Sequence, residues 1–139
     1  GQAADLFYEG KEAGQPEADF IVLNKTAKMI QSAVTVPAYI YGADENIIAI
    51  LAEYGKNLGY LFQVTDDLLD VKGSFEQLGK TAGKDAKENK LSSVALLGVE
   101  GAEALADKYC TISLKLLSEL PYDCSYLEEL TRAVREREK

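Results

Sequence analysis

Three carboxylates, Asp66, Asp67 and Asp70, fall within five residues of the otherwise apolar run Gly59-Tyr60-Leu61-Phe62-Gln63-Val64-Thr65-Asp66-Asp67-Leu68-Leu69-Asp70. On an α-helix Asp66 and Asp70 are i and i+4, and Asp67 and Asp70 are i and i+3, so all three share one face. Gln63, three residues before Asp66 and four before Asp67, joins them. Ionised carboxylates this close repel one another, so a proton or a cation must relieve the face. The oxygen-ligated cation that fits is Mg²⁺. It takes one or two carboxylates, keeps several waters and fills its remaining positions with substrate phosphate. The chemistry expected is therefore the docking of a Mg²⁺–diphosphate. The plain alternative is a solvated acidic helix face, common in a chain of net charge −8.

The segment that follows the acids favours the first reading. Lys72, Lys80, Lys84, Lys87 and Lys90 make up a third of the chain's fifteen Lys and Arg residues. With Gly73, Gly79 and Gly83 among them, residues 72–85 read as a loop able to bring backbone close to a ligand. Lysines that can hold phosphate oxygens complement acids that can hold a metal. Residues 73–81 also mimic a nucleotide-binding phosphate loop. That motif needs four residues between its glycines and a preceding strand; here there are five, and a helix precedes. A nucleotide site is rejected.

The run GYLFQVTDDLLD followed by GKTAGKD resembles the second aspartate-rich region of the trans-isoprenyl diphosphate synthases, the head-to-tail prenyltransferases of the polyprenyl synthetase family. Gly1-Gln2-Ala3-Ala4-Asp5 is similar to the family's Gly-Gln-x-x-Asp, and Lys25-Thr26 to its Lys-Thr pair, although Ala27 stands where Gly is frequent. The resemblance extends to the Arg137-Glu138-Lys139 tail. It implies an all-α, isoprenoid-synthase-type helical bundle. It also implies transfer of an allylic diphosphate's prenyl group to isopentenyl diphosphate with Mg²⁺ as cofactor. Asp66 would bind the metal directly, and Asp67 and Asp70 directly or through metal-bound water. Lys25, Thr26, Gln63, Lys80 and Lys90 would hold diphosphate oxygens, with Asp66, Lys25 and Lys80 as the catalytic set. Lys84 is a further candidate and Lys87 a solvated residue. Arg137 and Lys139 would approach isopentenyl diphosphate, though basic residues at a helix C-terminus also suit its dipole.

Only one Asp-Asp-x-x-Asp is present, and the chain opens within a helical pattern that no capping residue precedes. Residues 1–139 are therefore expected to be one all-α segment, the C-terminal half of a synthase. The expected partners are the missing N-terminal half or a second subunit, most simply in a homodimer. The alternative is a non-catalytic helical subunit that pairs with a complete synthase. A terpene cyclase would share the metal logic but lack the Gly-Lys loop after the acids. Product chain length is not readable, because in the family it is set near the first aspartate motif.

Composition narrows the remaining classes. A hydrophobic content of 47% supports a sizeable core. An acidic chain without a basic surface argues against nucleic acid, and no run is long enough to span a bilayer. Histidine is absent, which excludes imidazole acid–base chemistry and histidine-ligated zinc. Cys110 and Cys124 fit no metal-ligand spacing and read as reduced thiols. The expected compartment is the cytoplasm, with a plastid or another organelle as the alternative.

The elements that must position these residues are all helical. Residues 2–9 form a short helix with Gln2 and Asp5 on one face. After a loop over 10–16, residues 17–41 read as a long helix, apolar nearly all round and so buried, with a kink at Pro37. A helix over 45–71 carries the acids, with Asp44 as its cap and Tyr54, Leu58, Leu61 and Leu68 on the opposite, core-facing side. Gly59 lies on the acidic side, where the lack of a side chain would leave room for ligand. A short helix over 90–98 follows. An amphipathic one over 100–120 comes next, with Ala104, Leu105, Tyr109, Ile112, Leu116 and Leu117 in the core and Pro121 at its end. A last helix spans 127–139.

Overall fold

The computed structural model describes residues 1–8, 14–78 and 92–137, with backbone alone for residues 15 and 72–78. All regular structure among them is helical: α1 (Gln2–Tyr8), α2 (Gln15–Val22), a π-helical turn (Leu23–Ala27), α3 (Lys28–Ile40), α4 (Glu45–Leu78), α5 (Ser93–Ser118) and α6 (Ser125–Glu136). The all-α expectation holds. No described helix is long and apolar enough to cross a membrane.

The bundle is built on α4, which packs against α5, α3, the π turn and α6. Tyr54, Leu58, Leu61 and Leu68, the residues that helical spacing sets opposite the acids, are all buried. They form one core cluster with Ile47 and Val64 of α4, Ala102, Ala106 and Leu117 of α5, and Leu120. Each leucine taken out of water there contributes about 2 kcal/mol. Because α4 brings the large side chains, α5 closes the interface with small ones. Ala102, Ala106 and Ser113 are its fully buried residues alongside Leu117. The expected α5 stripe is thus rotated: Ala104 is exposed, while Leu105, Tyr109 and Leu116 flank the core. Tyr109 stacks on Tyr60 with ring centroids 5.2 Å apart.

Tyr54 also ties α6 to the core. Its hydroxyl lies 3.1 Å from Thr131 Oγ1 and donates to the Leu127 carbonyl at 3.3 Å. Burial pushes the Tyr54 phenol pKa above its ordinary value, with the Thr131 hydrogen bond opposing.

Four boundaries differ from the sequence reading. The 17–41 helix is interrupted at residues 23–27 by the π turn, not at Pro37, through which α3 runs to Ile40. It is not buried all round either: Met29, Val36, Tyr39 and Ile40 are exposed on α3. The α4 helix continues to Leu78, so residues 72–78 are helix rather than loop and Gly73 lies inside it. One glycine costs only about 1 kcal/mol, which 34 helical residues on a packed face absorb. Finally, the chain passes from the 93–97 segment into the rest of α5 through Gly98, at φ 73° and ψ 172°. The expected break between two helices therefore falls on a glycine inside one element. The last helix, expected over 127–139, runs from Ser125 to Glu136.

The contact between α4 and the preceding segment is made by two glycines one turn apart. A Cβ on Gly59 would stand 2.4 Å from the Ala27 Cα, and one on Gly55 would stand 2.7 Å from the Gln31 Cα. Gly59 is therefore small to admit the π turn, which corrects the expectation that it makes room for ligand. The Gln31 side chain donates to the Ala52 carbonyl at 3.0 Å and fixes this crossing.

Candidate functional site

The π turn faces the acidic side of α4. Widening one turn of the helix displaces Lys25 and Thr26 from the regular α spacing. Thr26 Oγ1 donates to Gln63 Oε1 at 3.4 Å, and Gln63 Nε2 donates to Asp67 Oδ1 at 3.1 Å. The other Asp67 oxygen accepts the Ser93 backbone N–H at 2.7 Å. Three segments, the π turn, α4 and the start of α5, thus converge on one string of polar groups. Burial raises the pKa of the Asp67 carboxyl from its ordinary value. The bonds from Ser93 and Gln63 work against that rise, and neighbouring Asp66 adds to it.

Asp66 points to the chain's last described residue. Arg137 Nη2 donates to Asp66 Oδ1 at 2.7 Å. The same guanidinium sits over the Phe62 ring, 4.6 Å from its centroid. Phe62 is one turn before Asp66, so ring and carboxylate hold the arginine from two sides. Asp70 is exposed, one turn beyond Asp66. Lys25 Nζ is paired with Asp5 Oδ2 of α1, both about two-fifths exposed.

Of the residues singled out in the sequence, Thr26, Gln63, Asp66 and Asp67 are brought together, with Asp70 beside them. Lys25 stands next to this group but is held by Asp5. Lys72 has no described side chain, and Lys80, Lys84, Lys87, Lys90 and Lys139 lie outside the described residues. Sequence reasoning missed Ser93 and the seat that Phe62 offers Arg137. Ser92-Ser93 ahead of Val94-Ala95-Leu96 carries a helix-capping signal, and Ser92 Oγ does accept the Ala95 N–H at 3.1 Å. Nothing local signals the Phe62–Arg137 contact.

Among the described residues no three acidic or thiol side chains converge on a common metal position. Mg²⁺ does not need three. One or two carboxylates, with waters and phosphate oxygens, complete its shell. Asp66 and Asp70 on one exposed stripe meet that requirement. Both Asp67 oxygens already have protein partners.

A polyprenyl synthetase family model matches residues 1–115. The chain is similar to a chloroplastic geranylgeranyl pyrophosphate synthase of Arabidopsis thaliana, 42% identical over 78% of this chain and 31% of the relative. It is also similar to a farnesyl diphosphate synthase of Geobacillus stearothermophilus, 43% identical over 74% of this chain and 35% of the relative. Among solved structures it resembles a geranyltransferase from Helicobacter pylori complexed with magnesium and isoprenyl diphosphate. That match has a TM-score of 0.74 and 32% identity, over 96% of this chain and 44% of the other. The chain therefore spans about a third of the length of these curated relatives.

Proposed function

The chain belongs to the polyprenyl synthetase family, and from that premise we propose that it is one side of a prenyl diphosphate synthase site. The reaction is the head-to-tail condensation of isopentenyl diphosphate with an allylic diphosphate. The observation that carries this reading is the hydrogen-bonded string Thr26–Gln63–Asp67, which sets a hydroxyl and an amide against an exposed carboxylate pair. In this reading Lys25, Thr26 and Gln63 bind diphosphate oxygens, and Lys80 and Lys90 supply further positive charge. Asp66 and Asp70 are the carboxylates that face Mg²⁺, which when bound neutralises the charge growing on the departing diphosphate. Asp67 adds its charge to that face. Lys25 exchanges its Asp5 partner for phosphate when substrate arrives, and Arg137 leaves Asp66. No side chain is asked to act as a covalent nucleophile, and proton loss falls to the released diphosphate.

Further structure must cover the open side. Exposed Phe7 and Phe20 with the α3 residues Met29, Val36 and Ile40 support burial of this surface. The covering part is proposed to be the remainder of a longer synthase polypeptide, acting as a homodimer. A reducing compartment, the cytoplasm or a plastid, suits the two free thiols.

The test uses the intact enzyme. Mg²⁺ with a bisphosphonate should raise its melting temperature, since a ligand of the folded state alone stabilises by mass action. Asp66→Ala should abolish the shift. An undiminished shift in that variant would refute the metal face. A normal shift without prenyl transfer from isopentenyl and allylic diphosphates would point to a non-catalytic subunit.

A further inference from the structure

The proposed site asks of Asp67 only a share in the charge of the acidic face. Its carboxylate is turned along the helix rather than outward. One oxygen accepts from Gln63 of α4 itself, at 3.1 Å, and the other from the Ser93 N–H of α5, at 2.7 Å. Ser93 is the first residue of α5, and Ser92 is its N-cap. The first four N–H groups of a helix have no intrahelical acceptor. Ser92 Oγ takes that of Ala95. Asp67, 26 residues earlier in the chain, takes that of Ser93. A carboxylate in that position also meets the positive end of the α5 dipole.

The geometry points to Asp67 as a positioning residue: a second cap supplied by α4, which locks the start of α5 to the acidic helix. Its consequence reaches the site through Gln63. Gln63 completes the device. It holds Asp67 by its amide nitrogen and Thr26 by its amide oxygen. The π turn, α4 and α5 are thereby tied to one carboxylate. The inference rests on the diphosphate reading only for its effect on ligand affinity; the tether itself is the contact of Ser93, by its amide and its hydroxyl, with Asp67.

That contact can be removed without touching the acid. Ser93 occupies the first helical position, where proline's fixed φ is at home and its missing N–H breaks no intrahelical bond. Ser92, at φ −116° and ψ 157°, already has the extended backbone that a following proline requires. Ser93→Pro in the full-length protein therefore deletes both bonds that Ser93 gives Asp67, from its amide and from its hydroxyl, and leaves the carboxylate in place. Two readouts decide the matter. In Asp67→Ala the Ser93 amide should exchange with solvent deuterium at least about tenfold faster than in the parent. An unchanged rate overturns the tether whatever the site binds. For Mg²⁺ with inorganic diphosphate, Ser93→Pro and Asp67→Ala should each weaken binding by roughly tenfold, the size usual for partners that orient a metal site. The double variant should be no worse than either single change. Asp67→Asn, whose amide oxygen still accepts from Ser93, should lose less than Asp67→Ala. Parent-like binding by Ser93→Pro, beside a loss in both Asp67 variants, would make Asp67 a direct metal ligand and overturn the positioning role. If the parent itself binds no Mg²⁺–diphosphate, the proposed function fails, and the exchange rate alone judges the tether.

Discussion

Gly59 has no side chain because Ala27 leaves no space for one. Gly59→Ala sets a methyl 2.4 Å from backbone carbon, and neither helix can yield as a flexible side chain would. The expected cost is about 1–3 kcal/mol, the range for overpacking a tight contact, read as a lower urea midpoint with an unchanged slope. The periodicity of the sequence places this glycine beside the acids correctly. It does not say what fills the gap, because a missing side chain reads the same against a ligand or against a helix. Asp66 and Gln63 were legible for the opposite reason: their shared face follows from spacing within one helix. Arg137 was legible only as a basic tail residue, since its partner lies 71 residues away. With Asp66 about half exposed, the pair adds less than about 1 kcal/mol to stability. Arg137→Gln should therefore melt close to the parent. It should also bind Mn²⁺ more tightly in the absence of diphosphate, as measured by electron paramagnetic resonance, because the competing cation is gone.

Gly98 marks the junction within α5. Its φ of 73° is disfavoured for any side chain, yet nothing stands within 4 Å of where a Cβ would be. Gly98→Ala should still destabilise by roughly 1 kcal/mol, through backbone strain and not through a clash. A parent-like melting curve would mean that the bend is soft. The tie between α4 and α6 has a pH signature. Burial raises the Tyr54 pKa above its ordinary value, so the folded state keeps a proton that the unfolded chain releases near pH 10. The stability this supplies is fully present below the unfolded pKa and is lost as pH rises through the folded one. Tyr54→Phe should cost about 1 kcal/mol at neutral pH, from the lost hydrogen bond. It should also make unfolding free energy less steep above pH 10. The α5 face shows where helix-level reading stops. Spacing identified an amphipathic helix, but which stripe turns inward was decided by α4, whose leucines are met by the small residues Ala102, Ala106 and Ser113 alongside Leu117.

At the scale of the whole molecule, the surface of α3 asks for company. Met29 is 70% exposed and Ile40 75%, and Val36 lies between them on the same stripe. Contiguous apolar surface of this kind marks an interface or an aggregation hazard. Residues 1–139 expressed alone should therefore self-associate at micromolar concentration in sedimentation experiments and show no prenyl transfer. Co-expression with the complementary part of a synthase should restore monodisperse, active protein. Turnover by these residues alone would show that one aspartate motif suffices. The fold class was readable because every segment keeps a helical period. The outer face of α3 was misread as buried because hydrophobicity along a helix does not say which of its faces the neighbouring helices cover.

The π turn at Leu23–Ala27 carries one residue more than a straight helix needs, since the Lys28 N–H reaches back to the Leu23 carbonyl. An insertion of this kind leaves the helices on either side in register with their own neighbours. Removing a single codon from this stretch would let α2 and α3 fuse into one regular rod with both outer faces nearly preserved. The helices would keep their own register, while Thr26 would swing out of line with Gln63. Chain length at this point thus sets the contact between Thr26 and Gln63. In a family alignment, a one-residue gap here would flag members whose bundle survives without that contact.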